Sequence, residues 1–217
     1  MHPTHPPLPP LDSALIGLGA LALTLIPVVR ALSGHFSAMG REGAHALLAI
    51  FLGFSVAEIA LDRHSGGKTK VIAGEGLRLV LVLALGYLGP SLFGLAAAWI
   101  ISVGRPAAVI WLAAMLLVLM MFLIARSFGY ISVPIAIIAL VGILRFARGT
   151  PEVFIAYALA WLLLLSGLRH ALIDGIKAED AHNLRKATFM PRALWALAWM
   201  IGAGAALLLG GKLLIYG

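Results

Sequence analysis

Cysteine is absent from the 217 residues and charge is scarce, with 12% of positions Asp, Glu, Lys or Arg and 62% hydrophobic. Average globular chains carry roughly twice that charge, about 25%. Without cysteine a disulfide-stapled scaffold is excluded. The 24 Gly and 11 Pro follow no period, which excludes a collagen-like chain. Acidic residues are the rarest charges, nine against 16 Lys and Arg, for a net +7. In a soluble protein that excess would suggest nucleic acid. Here the basic residues stand singly between apolar runs, where they set orientation and touch lipid headgroups. The composition implies an integral membrane protein with lipid around it and no nucleic-acid partner.

What is present is a series of long uncharged runs. A hydrocarbon core about 30 Å thick needs ~20 apolar helical residues. Runs near that length cover 14–29, 79–104, 106–125, 127–144, 153–168 and 193–211, each ending at or beside a single Arg or Lys. A less pure run, 34–54, carries His35, Arg41, Glu42 and His45. The expectation is an all-α polytopic membrane protein with six to seven transmembrane helices. A Pro-rich tail over 1–13 has no Lys or Arg and makes a poor signal peptide, so 14–217 reads as one retained transmembrane domain.

Two polar segments interrupt the pattern. Residues 55–73 hold two short alternating stretches around Gly66-Gly67, the signature of a β-hairpin, which in lipid must be covered by protein or lie at the surface. Residues 169–192 collect Asp174, Lys177, Glu179, Asp180, Arg185, Lys186 and Arg192. If both lie on the side of the N-terminus, that side holds ten of the 16 basic residues: Arg63, Lys68, Lys70, Arg78, Arg126, Arg169, Lys177, Arg185, Lys186 and Arg192. The positive-inside rule then makes the N-terminus and the 169–192 segment cytoplasmic.

Charge within a membrane helix costs about 2.5–3.5 kcal/mol per group on insertion scales, which singles out 34–54. Within it, Arg41-Glu42-Gly43-Ala44-His45 matches H-E-x-x-H in all but its first residue. In the full motif, two His at i and i+4 bind zinc on one helix face while the Glu polarises a bound water. Arg41 has no free lone pair and stays protonated, so it disrupts the motif and would repel a cation. Taken alone, these residues better describe an Arg41–Glu42 pair beside a hydrogen-bonded His45 in a helix bundle.

Further segments, in order, extend the likeness. RHSGGKTKV follows the motif helix; GYLGPSLFGL spans 86–95; IARSFGY spans 124–130; AYALAWLLLLSGLRHAL spans 156–172; and EDAHNLRKATFMPRALW spans 179–195. Together they resemble the actinobacterial-type branch of the site-2-protease-like intramembrane zinc metallopeptidases. The resemblance implies a zinc-dependent hydrolase cutting peptide bonds in or near the membrane, in a bacterial plasma membrane. Glu42 would be the catalytic base, with His45 and Asp180 as metal ligands and Asp174 as the alternative carboxylate. Gly86, Gly89, Pro90 and Gly94 would serve helix packing, a kink or a substrate gate. Because Arg41 replaces the first ligand, the alternative is an inactive pseudo-protease that binds transmembrane partners. A small-solute transporter is a third reading.

Other residues carry weaker expectations. His35, ten residues before His45, lies about 15 Å away along a helix at 1.5 Å per residue, too far to share a metal. Glu42 and His45 at i,i+3, with Asp180 and His182 or His170, would suit a recruited oxygen and nitrogen site. Glu58 and Asp62 read as a solvated hairpin face. Met115, Met120 and Met121 read as packing or lipid-facing residues, and Trp195, Trp199 and Tyr216 as interfacial ones.

Overall fold

A computed structural model describes residues 7–25, 27–61, 67–72, 76–124, 129–146 and 149–217. Nine helices and one hairpin occur among them. The first helices are α1 (Pro10–Leu25), α2 (Pro27–Phe51), α3 (Gly76–Tyr87), α4 (Gly89–Ser102) and α5 (Pro106–Met121). They are followed by α6 (Gly129–Phe146), α7 (Thr150–Asp174), α8 (Glu179–Thr188) and α9 (Arg192–Tyr216). The hairpin, β1 (Ser55–Leu61) with β2 (Gly67–Ile72), sits between α2 and α3 and is antiparallel, with Ile59 opposite Thr69 and Glu58 opposite Lys70. It lies where the alternating pattern places it. Its outer edge is not left bare along β1, because Ile59 N–H donates to Leu123 O at 2.8 Å.

Three helices, α6, α7 and α9, are each long and apolar enough to cross a membrane, and α3 with α4 makes a fourth span if that bent pair counts as one. The expected six to seven therefore exceeds what length and composition support. The difference lies in α1 and α5, both 16 residues long, and in α2, which has the length at 25 residues but carries charge.

Boundaries shift where proline acts. α2 begins at Pro27, ahead of the expected start near Gly34, since proline is well placed at a first helical position. The single apolar run 79–104 is two helices meeting at 65°. Pro90 stands at the start of α4 without an N–H to give, so the chain turns at Leu88.

The core forms where α4, α7 and α9 pack through small residues. A Cβ on Gly94 would come 2.8 Å from Leu164 Cγ, and one on Gly210 2.7 Å from Leu164 Cδ1, so these glycines set how closely the helices approach. α1 is pinned to α7 by Trp161 Nε1 donating to Ser13 Oγ at 3.4 Å, and the segment just before it by Leu8 N–H donating to Tyr157 Oη at 3.1 Å. Trp199 is not interfacial. It is 1% exposed, stacks on Tyr87 at 3.9 Å between ring centroids and donates its indole N–H to Ala84 O at 2.9 Å. Trp195 is half-buried beside it, while Tyr216 is exposed. Met120 is buried in the core and Met115 is exposed.

The 169–192 segment is no single loop. It comprises the last turn of α7, a short link, α8 and the lead into α9. α8 buries Ala181 and Leu184, three residues apart on one face, in a small cluster with Tyr87 and Trp199. That packing brings the N-terminal turn of α8, which holds Asp180, over α2.

Candidate functional site

Arg41 and His45 lie one turn apart on one face of α2 with Glu42 one step round from Arg41, and the hairpin and α8 close over them. A cavity of about 140 Å³ is lined by Arg41, Glu42, His45, Thr69, Asp180 and Asn183, among others. Its position follows from local packing against α3: a Cβ on Gly86 would lie 2.4 Å from His45 Cδ2, and one on Gly89 would lie 2.4 Å from Ala44 Cβ and 3.1 Å from Gly40 O. Only glycine at both positions lets α2 and the α3–α4 bend meet.

Glu42 is 3% exposed, and both carboxylate oxygens are engaged. Oε1 accepts from Arg41 Nε at 3.0 Å and Oε2 from Thr69 Oγ1 at 2.8 Å. Thr69 also lies 3.2 Å from Glu42 O, so one hydroxyl ties β2 to α2 at two points. Each oxygen thus holds one donor and keeps further lone-pair capacity toward the cavity that Glu42 lines.

His45 is 5% exposed and its Nδ1 stands 3.0 Å from Arg41 O. A carbonyl only accepts, so Nδ1 carries the proton and Nε2 presents a lone pair in the neutral ring. Nε2 has no hydrogen-bond partner among the described residues and faces Asp180 Oδ2 at 3.6 Å. Burial raises the Asp180 carboxyl above its ordinary range, opposed by the neighbouring His45 and Arg41 charges.

The other residues singled out by the sequence stand elsewhere. Asp174 is half-exposed at the end of α7, where it accepts from His170 Nδ1 at 3.3 Å. The carboxylate that faces His45 is that of Asp180. His182 Nδ1 receives a hydrogen bond from Arg192 Nη2, and neither His182 nor His170 lines the cavity, so the recruited oxygen and nitrogen site does not assemble from them. Glu58 is exposed on β1. Asp62, Arg126 and Ser127 lie outside the described residues. Pro90, Gly89 and Gly94 are all buried at the α4 contacts. Thr69 and Asn183 were not legible as site residues, because the partners that bring them to the cavity are far away in sequence.

Among the described residues no three His, Asp or Glu side chains come together as a metal ligand group. His45 and Asp180 converge; the third position on that face of α2 belongs to Arg41. No curated protein and no solved structure matches this chain. The sequence model of the Peptidase M50B-like family matches residues 14–210, nearly the whole chain, which together with the apolar helices makes this an integral membrane protein that belongs to the Peptidase M50B-like family.

Proposed function

We propose that this chain is a non-hydrolytic member of its family, a membrane-embedded metallopeptidase-like protein that binds transmembrane segments of partner proteins without cutting them. The observation that carries the reading is the Arg41 guanidinium on the Glu42 carboxylate at 3.0 Å. The family is generally zinc-dependent, and the residues here do not fit zinc. Arg41 offers no lone pair, adds a positive charge where a cation would sit, and engages the carboxylate that would act as base. A fixed internal charge then balances the buried acid, as a buried carboxylate requires. Hydrolysis remains the second reading, favoured by the unpartnered His45 Nε2 facing Asp180.

Metal content of the purified protein separates the two. The expected result is no bound zinc after purification in zinc-containing buffer, unchanged thermal stability on chelation, and a model transmembrane peptide that binds in proteoliposomes and stays intact. One equivalent of zinc, lost with stability on chelation, overturns the reading. We further place the N-terminus and α8 on the cytoplasmic face of a bacterial plasma membrane, from the distribution of basic residues. Six to seven crossings follow if α1, α2 and α5 traverse the bilayer with the other helices.

A further inference from the structure

A second cavity, of about 200 Å³, lies among α2, α4, α5, α6 and α7 and shares no lining residue with the polar one. Phe93, Leu117, Leu140 and Leu163 typify its wall, and among the described residues its hydroxyls are those of Ser37 and Ser166. Ser166 Oγ donates to Leu163 O at 3.3 Å. Ser37 is 1% exposed, and its Oγ has no hydrogen-bond partner among the described residues. A buried hydroxyl left so is costly, and folded proteins seldom leave one unpaired. The wall thus combines hydrocarbon with one donor awaiting an acceptor.

Leu47 and Leu112, both part of the wall, are also exposed on the outside of the molecule, near the exposed Trp111 and Met115 of α5. The cavity therefore opens sideways onto an apolar face, where the surrounding solvent is lipid chain and not water. Between Ser37 and Leu47 the wall runs about 15 Å along α2 at 1.5 Å per residue, so the space is elongated. An apolar cavity of ~150 Å³ holds a benzene ring. A slot somewhat larger and drawn out takes a chain of that girth, and not a helix about 10 Å across. We propose that this slot binds one acyl chain of an ester-linked membrane phospholipid, with the Ser37 hydroxyl donating to the ester carbonyl. The occupant is held by hydrocarbon contact and oriented by a single hydrogen bond.

The test uses the full chain in phosphatidylcholine nanodiscs doped with a phospholipid bearing a diazirine midway along one acyl chain. After irradiation, adducts are mapped by mass spectrometry. The expected map shows adducts on Phe93, Leu117 or Leu163, several-fold above the other buried residues, besides those on the outer face at Trp111 and Met115. Ala113→Phe, which fills the slot, removes the wall adducts and keeps the outer ones, which report a folded protein. Ser37→Ala lowers wall labelling several-fold with the ester-linked probe and leaves labelling by an ether-linked analogue unchanged. Labelling confined to the outer face in the wild type overturns the proposal, whether or not Ala113→Phe folds. Equal loss with both probes in Ser37→Ala overturns the role of the ester carbonyl.

Discussion

Arg41 donates from Nε to Glu42 Oε1 at 3.0 Å although the two are chain neighbours on α2, where adjacent side chains point about 100° apart. The pair forms because the long Arg41 side chain bends back over its own helix to reach a carboxylate that the hairpin and α8 have shut away from water. A buried acid without a counter-charge is held at a cost of several kcal/mol, and Arg41 supplies the counter-charge covalently. In a zinc site the same position would supply a neutral ligand and the metal the charge. The arrangement thus keeps electrostatic balance at a position where the zinc motif has a neutral ligand.

Replacing the cation without replacing its charge should destabilise the protein. Arg41→Leu leaves Glu42 with only the Thr69 hydrogen bond, and truncating one partner of a buried pair costs roughly 3–5 kcal/mol. The double variant Arg41→Leu, Glu42→Gln removes the charge as well, and should recover more than half of that loss. Thermal unfolding in one detergent measures both, and equal stability of the single variant and the wild type would mean that the pair is solvated.

Thr69 is the link between the hairpin and the motif helix. Thr69→Val keeps the shape and β-branching but leaves Glu42 Oε2 unpaired, at a cost of about 1–3 kcal/mol. Thr69→Ser retains the hydroxyl and should lose much less. Amide hydrogen exchange at Ile59 and Thr69, which face each other across the hairpin, should accelerate in Thr69→Val and not in Thr69→Ser; the same rate in both would dissociate the hairpin's anchoring from this hydrogen bond.

Much of this architecture was legible because charge is so rare. The run 106–125 ends near the close of α5 at Met121, and 193–211 lies wholly within α9. Two short alternating stretches located both strands, although a register shift between Val56 and Glu58 interrupts the first. Legibility failed where the deciding partner is far away in sequence. Hydropathy is continuous across Tyr87, Leu88 and Gly89, so the 65° turn there follows from proline's missing N–H and from the need of α3 to clear His45. Trp199 has the composition of an interfacial residue and becomes a core residue only because Tyr87, 112 positions earlier, offers its ring face. Asp174 and Asp180 are six residues apart, and only the turn after Gly175, which re-aims α8, separates the exposed carboxylate from the one at His45.

The missing ligand can be restored. Arg41→His puts imidazoles at i and i+4 on α2, removes one positive charge and releases Glu42, all of which favour zinc. The variant should bind close to one equivalent of zinc by elemental analysis, and Asp180→Asn in that background should lower affinity by at least tenfold, whereas Asp174→Asn should not. A folded Arg41→His protein without zinc would show that His45 and Asp180 do not ligate together.

Gly86 offers a sharper probe of the same geometry. Within a helix, Gly→Ala ordinarily gains roughly 0.5–1 kcal/mol from reduced backbone freedom. Gly204, on α9, has nothing within 4 Å of the point where an added methyl would stand, so Gly204→Ala should show that gain as a small rise in Tm. At Gly86 the added methyl would stand 2.4 Å from His45 Cδ2, 2.6 Å from Cγ and 2.7 Å from Nε2. Contacts that short force either the ring or the helix to move, and overpacking of a close interface costs about 1–3 kcal/mol, which exceeds the propensity gain. Gly86→Ala should therefore lower Tm, and in the Arg41→His background it should also weaken zinc binding, because the displaced ring no longer aims Nε2 at Asp180. A Gly86→Ala protein as stable as Gly204→Ala, with zinc affinity retained, would mean that α3 does not press on His45 as closely as these distances require.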